Sequence, residues 1–340
     1  MNDPATNTQV VLTRRPNGKP VPADFEVITT PLGPLKDGEA RVKNLYVSLD
    51  AGFRNWMDED SGDEVLPAMP LGKAVMGLIL GEVIESNNAK IVVGDMVMAR
   101  LAWEQYSLVT DDDWLVTLSD EERKQPLSYH LGVLGDTGMS AYFGLTDIGK
   151  PQPGETVLIS AAGGAVGTVA GQIAKIMGAR TVGFAGSDSK CQRLIDELGY
   201  DAAINYKSGD VSAQIAKHCP AGVDVYFDNV GGPLLESVLD HINHGARIPF
   251  CGAVADYSAQ TPTPGPANLF QLVTQCVTLQ GFMTHFQIER YPEARSALSA
   301  WIADGQLKTH EQVYEGIENC GIAFSDLFAG NNFGKTVVKV

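Results

Sequence analysis

The chain is poor in the features that mark most specialised protein classes. Among its 340 residues only five are cysteines, Cys191, Cys219, Cys251, Cys276 and Cys320, isolated and odd in number. They form neither a disulfide framework nor a C-x-x-C pair, so a reducing, cytoplasmic setting is expected. Bases are scarce, 25 against 41 acids for a net charge of −16, which argues against nucleic acid or an anionic membrane as partner. No apolar run approaches the roughly 20 residues that a membrane span requires. The first residues carry no basic segment followed by an apolar core, so no secretory signal is expected. The six histidines are scattered. His241 and His244 lie three apart, but no Cys, Asp or Glu pattern completes a ligand set, and no metal is expected. What remains is 44% hydrophobic and 19% charged, the composition of a globular protein long enough for two domains.

What is present concentrates between Thr156 and Met177. A β-branched run, Thr156-Val-Leu-Ile-Ser160, breaks at Gly163-Gly164 and resumes with Val166, Val169, Ile173, Ile176 and Met177 at helical spacing. Strand, glycine turn and helix are the parts that seat a dinucleotide pyrophosphate at a helix N-terminus. Gly164 admits close backbone approach, and Gly167 lets the helix pack against the strand. The first glycine of G-x-G-x-x-G is Ala162 here, so the loop alone also reads as an ordinary strand-to-helix turn, and context must decide.

Context supports the nucleotide reading. Arg180–Ala185 reads as a second strand and Cys191–Leu198 as its helix. Ala202–Asn205, Val223–Asp228, Ala246–Cys251 and Val277–Phe282 read as four further strands. Strands alternating with helices imply an α/β, doubly wound parallel sheet with its ligand crevice at the carboxyl ends of the strands. An NAD site places a carboxylate at the tip of the second strand; here the tip is Gly186-Ser187, followed by Lys190 and Arg193, with Tyr206-Lys207 closing the next strand. A 2′-phosphate would be held by Lys190, Tyr206 and Ser187, which favours NADPH. With Asp188 beside it, Lys190 also reads as a solvated residue at a helix start.

Residues 8 to about 125 read as short alternating strands between Gly and Pro turns, a small barrel or sandwich. The last ten residues form one more strand that returns to this domain. The expected division is 1–126 plus 298–340 for the β domain and 127–297 for the nucleotide domain, with the active site in the cleft between them.

With these elements in order, the sequence resembles the medium-chain dehydrogenase/reductase superfamily, and within it the zinc-independent NADPH-dependent alkenal and enone reductases. Leukotriene B4 dehydrogenase/prostaglandin reductase, plant double-bond reductases and curcumin reductase belong to that group. The matching motifs include Leu45-Tyr-Val-Ser-Leu-Asp50, Gly138-Met-Ser-Ala-Tyr-Phe-Gly144, Ala161–Gly167, Gly186-Ser-Asp-Ser-Lys190, Tyr226-Phe-Asp-Asn-Val-Gly-Gly232 and Asn332-Phe-Gly-Lys-Thr336. The resemblance implies a Rossmann domain inserted in a GroES-like β-barrel catalytic domain, and a homodimer. It implies that Gly163, Gly164, Ala165 and Val166 meet the pyrophosphate and that Lys190 and Tyr206 hold the 2′-phosphate. It also implies that Asn229, Cys251, Phe282, Met283, Thr284 and Asn332 line the cofactor cleft, and it sets Tyr257 beside the nicotinamide ribose and substrate carbonyl.

The implied reaction reduces a C=C bond conjugated to a carbonyl, with Tyr257 steadying the enolate oxygen. Tyr257 reads equally as a ribose-binding or packing residue. Two departures from the family bear on the substrate pocket. Gly52 stands where relatives carry a tyrosine, which opens space unless Phe53 or Trp56 refills it. Asp136-Thr137 replaces Met-Pro, giving Asp136 either a substrate-recognition role or that of a helix cap. The acidic run Asp58–Glu64 reads as a solvated loop or a cover, and Thr261–Pro266 as an entrance border or a surface connection. A quinone reductase, an alcohol dehydrogenase and an NADPH-binding protein with little catalysis are the competing functions.

Overall fold

A computed structural model of the chain describes residues 6–59, 61, 62, 66–261 and 263–340. Asp60, Asp63 and Glu64 of the acidic run, and Pro262, lie outside the described residues. Strands β1 (Thr6–Leu12), β2 (Phe25–Pro31), β3 (Ala40–Leu49), β4 (Met76–Ser86), β5 (Met96–Ala102), β6 (Tyr106–Val109) and β7 (Leu115–Thr117) come first. Then follow α1 (Asp136–Phe143), β8 (Thr156–Ile159), α2 (Ala165–Ile176), β9 (Arg180–Ala185), α3 (Asp188–Leu198), β10 (Ala202–Asn205) and α4 (Val211–His218). After them come β11 (Val223–Phe227), α5 (Gly232–Leu239), β12 (Ile242–Phe250), α6 (Val254–Tyr257), α7 (Gln271–Thr274) and β13 (Thr278–Gly281). The chain closes with α8 (Tyr291–Ala303), β14 (Glu311–Glu315), α9 (Cys320–Ala329) and β15 (Lys335–Lys339).

The chain divides into two compact units, one of 1–131, 312–331 and 336–340, the other of 132–311 and 332–335. The sequence reading puts the boundaries at 126/127 and 297/298; the structure puts them after Leu131 and Glu311. Helix α8 starts before residue 298 and runs unbroken to Ala303, so a boundary at 297 would cut it. The terminal segment is also shared: Asn332–Lys335 goes with the second unit, because Gly334 N donates to Gly163 O and Lys335 N to His310 O, both at 2.9 Å.

The first unit is built on a largely antiparallel sheet of order β14-β15-β3-β4-β5-β7, with β6 also pairing β3. Residues Thr336–Lys339 of β15 lie antiparallel against β3, so the last strand does return to this domain. Leu78, Leu80, Met98, Leu118, Leu131 and Val337 form one of its cores. Its central strands β3, β4 and β5 are buried along most of their length, so the alternation expected from the sequence is not their burial pattern.

In the second unit six parallel strands run in the order β10-β9-β8-β11-β12-β13. Counted within the unit this is 3-2-1-4-5-6, the Rossmann order, and its switch point lies between β8 and β11. Leu158, Val182, Phe184, Ile204, Tyr226 and Ile248 are buried in its core. With helices on both faces, the central strands are apolar throughout rather than alternating. Helix α3 begins at Asp188, three residues before the expected Cys191, because the Ser187 hydroxyl caps it by accepting from Lys190 N at 3.3 Å. Strand β12 starts at Ile242 rather than Ala246. Its register against β11 shifts, with Val223 opposite Ile242 but Val225 opposite Arg247, and Gly245 at φ +74° absorbs the extra residues. Among the described residues no helix is long and apolar enough to cross a membrane.

Candidate active site

The switch point is locked by polar side chains from both flanking strands. Asp228, fully buried at the end of β11, accepts on Oδ1 from the Ser160 and Tyr226 hydroxyls, each at 3.0 Å. The same oxygen accepts from Val230 N at 2.9 Å and Gly231 N at 3.0 Å, which folds the Asn229–Gly232 turn. Burial pushes the Asp228 carboxyl above the ordinary carboxylate range, against the pull of these donors. Asn229 completes the lock, donating from Nδ2 to Ser160 O at 2.8 Å and from its backbone N–H to Ser160 Oγ at 2.7 Å. This is why Asn229, expected in the cofactor cleft, sits rigidly beside the glycine loop.

The loop itself leaves β8 through Ala161, held at φ +47°. Gly164 is the N-cap of α2 and offers no side chain to the first helical amides, so Ala165 and Val166 lie where an anion is satisfied by backbone N–H groups. A Cβ on Gly167 would lie 2.4 Å from Ala161 O and 2.6 Å from Ala162 Cα; its absence lets α2 seat against the strand end. At Gly163 the nearest side chains are the Phe333 ring, 3.4 Å from a Cβ built there, and Lys190 Cδ at 3.8 Å. The segment bearing Asn332 and Phe333 thus packs on the loop, and Asn332 is buried.

Beside the loop stands a cluster of cations. Lys190 is half-buried, and burial together with the charges of Lys207 and Arg193 lowers its ammonium pKa. The Tyr206 hydroxyl and Lys207 Nζ lie 3.3 and 3.4 Å from a Cβ built on Gly186. A carboxylate at this tip would neutralise the cluster. Its absence leaves a group of donors whose charge fits a phosphate dianion. The fit to a 2′-phosphorylated dinucleotide therefore rests on an uncapped helix start, a glycine cradle and the neighbouring Lys190 and Lys207 ammonium groups. Lys207 and Phe333 were not singled out as site residues, although each adjoins a residue that was.

A second feature of this unit is an open, mainly apolar pocket of about 520 Å³. Cys251, Tyr257, Phe282 and Met283, four of the expected residues, line it together with Phe250 and Phe286. Tyr257 is half-buried on the short helix α6, and its hydroxyl accepts a 3.3 Å bond from Ala253 N. Burial raises its pKa, so it stays a neutral donor. Burial also pushes the Cys251 thiol up to about 12, against a hydrogen bond to Ser140. Phe282 is wedged against Gly144, where its Cζ lies 2.9 Å from a Cβ built on the glycine, and packs edge-on to Phe227.

Thr284 and Asp136 meet through a residue that the sequence reading missed. The Tyr291 hydroxyl donates to Asp136 Oδ1 at 2.9 Å and is hydrogen-bonded to Thr284. Helix α1 begins at Asp136 itself, with Gly135 as N-cap and no side-chain cap bond, so the capping reading of Asp136 is corrected. In the first unit, Gly52 sits in a 3-10 turn, Ala51–Trp56, anchored by buried Arg54, which donates to Pro16 O and Gly18 O and pairs with Asp58 at 2.8 Å. Apart from its two chain neighbours, nothing among the described residues lies within 4 Å of a Cβ built on Gly52, so Trp56, packed edge-on to Phe53, does not refill that position. Among the described residues no group of three or more His, Cys, Asp or Glu side chains is arranged to hold a metal ion.

A Rossmann unit with a phosphate-ready glycine loop, joined to an antiparallel β unit, defines the class as a dinucleotide-dependent oxidoreductase of the medium-chain type. Residues 8–117 match the family described as the N-terminal domain of oxidoreductase, and residues 165–300 the family described as zinc-binding dehydrogenase. The chain is 36% identical to the NADPH-dependent curcumin reductase of Escherichia coli, over 98% of this chain and 97% of that one. It is 38% identical to the NADP(+)-dependent 2-alkenal reductase of Nicotiana tabacum, over 100% and 99%. The crystal structure of CurA in complex with NADPH from Vibrio vulnificus superposes with a TM-score of 0.89 at 37% identity, covering 98% of this chain and 99% of that one. The chain belongs to the zinc-independent group of the medium-chain dehydrogenase/reductase family.

Proposed function

We propose that this protein is an NADPH-dependent reductase of the carbon–carbon double bond of α,β-unsaturated ketones and aldehydes. The coarser activity, that of an NADPH-dependent oxidoreductase, comes with the family and agrees with the Lys190, Tyr206 and Lys207 cluster. The observation that carries the finer reading is the Tyr257 hydroxyl in the wall of an apolar pocket.

When bound, NADPH supplies the hydride that adds to the substrate's β-carbon. The chain's own residues do the rest. Gly163–Val166 hold the pyrophosphate at the start of α2, and Lys190 and Tyr206 hold the 2′-phosphate. Asn229, Cys251, Phe282–Thr284 and Asn332 complete the cofactor seat. Tyr257 accepts from Ala253 N and keeps its own proton free to donate to the carbonyl oxygen, where charge develops as the enolate forms. The reading extends to a homodimer. β13 is an exposed sheet edge, and Tyr257–Ile288 contains no Asp, Glu, Lys or Arg, in a chain of net charge −16.

Steady-state NADPH oxidation with 4-phenyl-3-buten-2-one against a simple benzoquinone tests the substrate class. The enone is expected to have the higher kcat/KM. Turnover of the quinone with none of the enone would replace this reading with a quinone reductase.

A further inference from the structure

We propose that Arg193 is a positioning residue for the dinucleotide loop, acting through the Asn332–Lys335 segment rather than by touching a phosphate. The inference rests on the NADPH reading above. Four side chains form a closed ring behind the loop. The Arg193 guanidinium lies over the Phe333 ring, 3.8 Å from its centroid. Its Nε and Nη2 donate to the two oxygens of Glu197 at 2.6 and 2.9 Å. Glu197 Oε2 meets His310 Nε2 at 2.9 Å, and the His310 ring packs edge-on to Phe333 at 5.5 Å. The bonds from Arg193 and His310 hold the Glu197 carboxyl down at about 2, so it is ionised throughout the neutral range.

The ring grips a segment that belongs to this unit by only four residues. Gly334 N bonds Gly163 O, Lys335 N bonds His310 O, and the Phe333 ring backs Gly163. Gly334, at φ +77°, has no room for a side chain: a Cβ would stand 2.1 Å from His310 O. The segment is therefore pressed between His310 and the loop, and Phe333 transmits its position to Gly163. Arg193 and Lys190 differ in what they have left to offer. Lys190 has no carboxylate opposite its ammonium among the described residues, whereas Arg193 spends its bidentate edge on Glu197 and its flat face on Phe333. Arg193 thus orders the loop for any dinucleotide, and Lys190 discriminates in favour of the 2′-phosphate.

Fluorescence titration of the full-length protein with NADPH and with NADH tests this assignment, on wild type, R193A, F333A, the double variant and K190A. R193A is expected to weaken NADPH and NADH alike, by about tenfold, with kcat at saturating cofactor unchanged. R193K, which keeps the charge but not the plane, is expected to behave the same way. The double variant is expected to bind little worse than R193A alone, whereas K190A weakens NADPH only. Hydrogen exchange at 332–335 in the cofactor-free protein is expected to quicken in R193A. Weakening of NADPH alone in R193A, or unchanged exchange at 332–335, overturns the assignment. Wild-type preference for NADH would sink the NADPH reading instead, while the exchange result still decides Arg193.

Discussion

Tyr257 is the residue on which the proposed chemistry turns. In the proposed mechanism its hydroxyl donates to the enolate from a mainly apolar wall, and loss of one such oxyanion donor costs roughly 2.7–4 kcal/mol where it has been measured. Tyr257→Phe is expected to lower turnover at least about tenfold, with NADPH affinity nearly unchanged; unchanged turnover removes Tyr257 from the mechanism. At the residue scale the sequence makes the strand tip without a carboxylate legible, and Lys190 and Tyr206 lie near it, with Lys207 beside them. Of the two roles open to Asp136, the cap falls away, and the hydrogen bond to Tyr291 was not legible because Tyr291 is 155 residues away. Arg193 was seen only as a charge, since its partner Phe333 comes from the far end of the chain.

Strand β8, its loop and α2 carry the element-scale argument. Close packing at Gly167 follows from a helix that starts directly over the turn it caps. Gly167→Ala sets a methyl against Ala161 O and is expected to cost about 1–3 kcal/mol, in the range of overpacked sites. Thermal unfolding checks this: an unchanged melting temperature would mean that the loop yields freely. At this scale the sequence was most readable in the parallel sheet, where buried strands are short unbroken apolar runs between glycine turns. It was least readable where local chemistry moved a boundary, as with the Ser187 cap that starts α3 early and the Gly245 bulge that lengthens β12.

The whole molecule combines strong net charge with one long uncharged stretch. A chain at −16 repels its own copies except where charge is missing, and Tyr257–Ile288 includes the β13 edge and the exposed Leu269, Phe270, Val273 and Phe286. Sedimentation velocity at micromolar concentration is expected to find a dimer, and F270E, a charge on that face, to shift it toward monomer. A wild-type monomer would contradict the homodimer. The two-domain plan was legible from the change of periodicity along the chain, but the return of Asn332–Lys335 to the nucleotide unit was not, because no local pattern marks a four-residue excursion. In the proposed reaction, hydride goes to carbon in an activated double bond. Reduction of 4-phenyl-3-buten-2-one with NADPH deuterated at the transferable C4 position, read by NMR of the product, shows where it lands. A saturated ketone with deuterium on the β-carbon is expected; deuterium on the carbonyl carbon of an allylic alcohol, or no reduction, rules the proposed reaction out.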